Sequence, residues 1–65
     1  MGKIKEAYMI QEEIIQHVEE QLGKGAAQDF NILEHCFKRD TTPARAREEF
    51  FSADKINLQK LLEHA

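Results

Sequence analysis

The sequence is poor in the residues that punctuate or staple a chain: its 65 positions hold one cysteine, one proline, three glycines and no tryptophan. A lone thiol, Cys36, closes no intrachain disulfide and cannot complete a Cys/His quartet for structural zinc within one chain. A reducing compartment is the expected setting. So few Gly and Pro argue against an all-β domain, which needs many turns. The longest run of large apolar residues is Tyr8-Met9-Ile10, far short of the ~20 residues that span a bilayer. The opening Met1-Gly2-Lys3-Ile4-Lys5-Glu6 has no apolar leader segment, and Glu6 stands where an N-myristoylation motif takes Ser or Thr. A cytoplasmic protein is expected.

Charge of one sign is also lacking. Nine basic and twelve acidic side chains give a net −3, which suits neither a disordered polyelectrolyte nor a strongly basic nucleic-acid binder. Hydrophobic residues make up 42% of the chain, and seven of them are alanine. Such a core supplies only ~3–5 kcal/mol of net stability. One domain covering residues 1–65 is expected, with little room for a deep pocket.

What is present is helical periodicity. Ile4, Ala7, Tyr8, Ile14, Ile15, Val18 and Leu22 recur at the spacing of one helical face, interrupted by a single polar residue, Gln11. Five glutamates stand between them, and Gly23 is placed to end the helix in the left-handed conformation. A second helix is expected over Ala26–Arg39, with Ala26, Phe30, Leu33 and Phe37 as its buried stripe, Cys36 beside them and Ile32 flanking. Thr42-Pro43 then reads as an N-cap followed by a first-turn proline. The third helix carries a stripe of Phe51, Leu58, Leu61, Leu62 and Ala65. A continuous helix is favoured, because no Gly or Pro interrupts it. Ser52-Ala53-Asp54 offers a possible break, giving Pro43–Phe51 and Ala53–His64. The fold class is all-α: a small antiparallel three-helix domain, a helical hairpin plus a short helix, its last helix open to a break near Ser52.

Candidate chemistry is thin. Glu13, His17 and Glu20 share one face of the first helix, but Glu-rich helices generate such half-sites constantly, and a solvated face is expected. Cys36 beside His35 does not make a nucleophile and base, since adjacent helical side chains diverge by about 100°. Cys36 is expected as a small buried hydrophobe. Gly23-Lys24-Gly25 lacks the spacing of a phosphate loop. No catalytic residue, metal or cofactor is expected.

Two features point to partners. Phe50-Phe51 cannot both face one core, and Tyr8-Met9-Ile10 with Ile14-Ile15 widens the apolar arc of the first helix beyond a two-helix seam. Met9, Ile10, Phe50, Phe51 and whichever of Ile14 and Ile15 stays outside the core are the expected protein contacts. The expected function is therefore a non-catalytic protein–protein interaction module, regulatory, adaptor or assembly, that pairs with itself or docks on a larger protein. The alternative is a small nucleic-acid-binding regulator. Residues 24–47 carry a local net +2, and Lys38, Arg39, Arg45 and Arg47 form its basic patch.

Overall fold

The computed structural model describes residues 2–63, with side chains from Lys5 onward. The side chains of Ile4, His64 and Ala65, assigned above to helical faces or ends, lie outside the described residues. Among the described residues four helices are formed: α1 (Gly2–Leu22), α2 (Ile32–Arg39), α3 (Pro43–Ser52) and α4 (Lys55–Glu63). No strand occurs among the described residues. The chain is all-α, as its periodicity requires.

At 1.5 Å per residue, the 21 residues of α1 run the length of the molecule, whose longest axis is 33 Å. Gly23 ends α1 with φ +112°, and its N–H donates to the Glu19 carbonyl at 2.9 Å. The polar interruption, Gln11, now has a reason. Its carboxamide oxygen accepts the Ile32 N–H at 2.9 Å and so caps the first turn of α2 from a distance of twenty-one residues.

The second helix is eight residues long, not fourteen. Ala26–Phe30 form turns in which Ala26, Gln28 and Phe30 donate to the carbonyls of Gly23, Gly25 and Ala27. Gly25, at φ +87°, sets the chain into them. The helix begins only where Asn31 can cap it, its side chain accepting the Glu34 N–H at 3.0 Å. This start moves the buried face to Ile32, His35 and Cys36, and leaves Leu33 and Phe37 outside, against expectation. Phe30, just before the cap, packs on His35 at 5.6 Å between ring centroids, the position of a hydrophobic staple. Asp40 closes α2 in the left-handed conformation (φ 52°, ψ 52°), and the Thr41 N–H reaches back to the Cys36 carbonyl at 3.0 Å.

Thr42 caps α3 as expected, its hydroxyl accepting the Arg45 N–H at 3.3 Å, with Pro43 in the first turn. The favoured continuous third helix does not form. Ala53 turns extended (φ −82°, ψ 145°), and Asp54 starts α4 by accepting the Asn57 N–H on its side chain at 2.8 Å. A short acid that satisfies a freed N–H replaces the helical bond it interrupts. The break also shifts the phase: Ala46 and Phe50 face the core from α3, not Phe51, and Leu58 does so from α4. Arg47 meets Glu13 and Phe51 meets His17, so α3 lies beside α1 and runs in the same direction.

The core gathers Ala7, Ile14 and Val18 from α1, Ala27 and Phe30 from the turns, Ile32 and Cys36 from α2, Ala46 and Phe50 from α3, and Leu58 from α4. At its centre Phe50 sits edge-on to Phe30 at 5.2 Å and beside His35 at 5.3 Å. Edge-to-face rings of this kind add about 0.5–1.5 kcal/mol each beyond their area burial.

Candidate protein-contact surface

The six residues expected to meet a partner separate into three groups. Phe50 and Ile14 are completely buried in the chain's own core and are withdrawn as contacts, because a side chain with no exposed surface has nothing to offer a second molecule. Ile10 and Ile15 are half-buried against that core. Met9, 64% exposed, and Phe51, 45% exposed, remain available. Of the consecutive pair, Phe50 takes the interior and Phe51 the rim, as the 100° turn between them demands.

Phe51 is held on its buried side. Its ring stacks on His17 at 4.5 Å and 14°, and the Arg47 guanidinium lies 5.8 Å from its centroid. Arg47 in turn pairs with Glu13 at 2.9 Å. Glu13 and His17 thus line a seam between α1 and α3, while Glu20 stays exposed as expected. Among the described residues, no group of three or more His, Cys, Asp or Glu is arranged to hold a metal.

The most exposed large apolar side chain lies where the sequence placed the core. Phe37 is 88% exposed and Leu33, one turn earlier on the same stripe of α2, is 46% exposed. Ile56 on α4 and Tyr8 on α1 are likewise exposed. A large aromatic left almost wholly in water is the informative case in a small chain. The signal that locates it is Asn31-x-x-Glu34. That cap sets the start of α2, and the start decides which stripe turns inward.

The basic residues do not form a free patch. Lys38 pairs with Glu34 at 3.0 Å within α2, Arg39 with Glu49 of α3 at 3.9 Å, and Arg47 with Glu13 of α1. Arg45 has no ion pair among the described residues. Pairs this exposed contribute little to stability, but they cancel the local charge that would draw a phosphate backbone.

Cys36 and His35 both point into the core. The thiol is pushed up by burial and by the Glu49 carboxylate, so it stays protonated at neutral pH and is a poor nucleophile. His35 is wholly buried, and neither ring nitrogen has a hydrogen-bond partner. Burial lowers its pKa, the Arg39 charge adds to that, and Glu49 opposes it. Here the ring is a neutral core aromatic. The open cleft of about 460 Å³ where α3 hands over to α4 is lined by Arg39, Glu49, Ser52, Ala53, Asn57, Lys60 and Leu61 and contains no nucleophile–base pair.

No protein-family model, curated protein or solved structure matches the chain. No helix of the described residues is long and apolar enough to cross a membrane.

Proposed function

We propose that the chain is a small, non-catalytic protein–protein interaction module that associates with itself. The observation that carries this reading is Phe37, 88% exposed on a capped helix whose opposite face is locked into the core. Full burial of such a side chain stabilises an interface by about 1.5–3 kcal/mol. Met9, Phe51, Leu33 and Ile56 add further uncovered apolar surface. A 65-residue chain has few large hydrophobes to spare, so leaving several in water makes most sense if association covers them.

Nucleic-acid binding through Lys38, Arg39, Arg45 and Arg47 has less support, because three of the four are engaged by carboxylates. The test is the molar mass by light scattering across a concentration series. A mass rising from 7.6 kDa toward twice that value is expected, and a strict monomer at millimolar concentration overturns the reading.

A further inference from the structure

The outer face of α2 has an order that matches a second copy of itself. Leu33 and Phe37 stand one turn apart on one stripe, and Glu34 and Lys38 one turn apart on the adjoining stripe, because each pair is separated by four residues and the two pairs are offset by one. Ile32, His35 and Cys36 are buried, so both stripes face away from the core. Glu34 and Lys38 are joined at 3.0 Å, and half or more of each side chain is exposed. The helix therefore presents an apolar stripe bordered by an acid toward its start and a base toward its end.

Such a border is complementary to itself in one direction only. Two copies of α2 laid parallel about a two-fold axis put their Glu34–Lys38 stripes on opposite edges of the seam, where they do not meet. Laid antiparallel, Leu33 of one copy meets Phe37 of the other, and on the flank Glu34 of one meets Lys38 of the other. A two-fold axis near the middle of α2 makes each of these contacts twice. The flanking ion pair inside each chain then becomes a square of four alternating charges, with none left unpaired.

Resting on the self-association proposed above, we infer that two copies of this chain meet antiparallel through the outer face of α2, with Leu33 and Phe37 as the apolar seam and Glu34 and Lys38 setting the direction. The contact is made by two short helices. It falls well below the ~800 Å² per side of a standard interface, so the dimer exchanges rapidly and depends on concentration. Antiparallel pairing also places the two copies' α1–α3 layers on opposite sides of the α2 pair.

The test uses the full chain and sedimentation velocity, with circular dichroism to verify that each variant keeps its helices. Glu34→Lys gives a copy with two basic flank positions, and Lys38→Glu a copy with two acidic ones. Each variant alone is expected to dimerise at least about tenfold more weakly than wild type, by like-charge repulsion. An equimolar mixture of the two is expected to recover wild-type association as a mixed dimer. Phe37→Ser, at an exposed site that leaves the fold intact, is expected to weaken association without changing helicity. If wild type dimerises but neither Phe37→Ser nor the charge reversals alter it, the α2 seam is wrong while self-association stands. If the single reversals weaken the dimer and their mixture fails to restore it, the antiparallel arrangement is overturned. A wild-type chain that stays monomeric throughout overturns both readings.

Discussion

Replacing His35 by methionine should stabilise the protein and remove part of its sensitivity to acid. A neutral imidazole carries one donor and one acceptor, and in the core formed by Phe30 and Phe50 neither has a partner. Each orphaned buried group costs about 1–3 kcal/mol. Methionine has similar bulk and no polar atom in need of a partner, but it forfeits two ring contacts worth about 0.5–1.5 kcal/mol each. The net expectation is a gain of about 1–3 kcal/mol. For a domain of this size, that raises Tm by roughly 4–24 °C.

The pH dependence has a definite sign. Burial, aided by Arg39, holds the folded pKa of His35 below its ordinary 6.5. Between the folded value and 6.5 the unfolded chain binds a proton that the folded chain refuses, so stability rises with pH across that interval and levels off above it. Acidification from neutrality through 6.5 should therefore lower the Tm of wild type more than that of His35→Met. Thermal melts of both proteins at about pH 7.5 and about pH 5 read the two effects together. A variant that melts at or below wild type at the higher pH, or that shows the same acid slope, refutes the assignment of His35 as an unpartnered neutral core residue.

Three further substitutions probe the fold. Phe50→Ala removes the central ring and should cost about 3–5 kcal/mol, enough to unfold the chain at room temperature, whereas Phe37→Ala should change Tm little; circular dichroism melts of the pair decide which phenylalanine is the core residue. Gln11→Leu strands the Ile32 N–H and should cost about 1–3 kcal/mol, read as a lower urea midpoint and earlier amide exchange at Ile32. Asp40→Gly relieves a non-glycine residue held at positive φ and should gain up to about 1 kcal/mol in the same urea titration, while Asp40→Val should lose stability.

The long helix was legible because its signals agree: apolar period, glutamates on the outer face and a glycine stop. Thr42-Pro43 was legible for the same reason. The errors in α2 and after α3 share one cause, side-chain capping. Ala26-Ala27 has helical propensity, but three consecutive reverse turns hold it until Asn31 offers an oxygen to the Glu34 N–H. A start six residues later rotates the inward face through several positions, which exchanges Leu33 and Phe37 for Ile32 and His35. Hydrophobicity alone could not rank a histidine above a phenylalanine for the interior. At Ala53-Asp54 no Gly or Pro marks the break, since the aspartate side chain itself replaces the lost helical bond. The contact surface was legible in part: Met9 and Phe51 remain outside, Phe50 and Ile14 do not, and Phe37 became visible only once the register of α2 was known.

The most direct measurement of the self-association on which these inferences rest is a dilution series of the uniformly nitrogen-15-labelled chain, followed by amide chemical shifts from millimolar to low micromolar concentration. Shifts that move with concentration along residues 33–38, while those of Ile14, Val18 and Ala46 stay fixed, are the expected result. A spectrum unchanged at every concentration, with the tumbling time of a single 7.6 kDa chain, contradicts it.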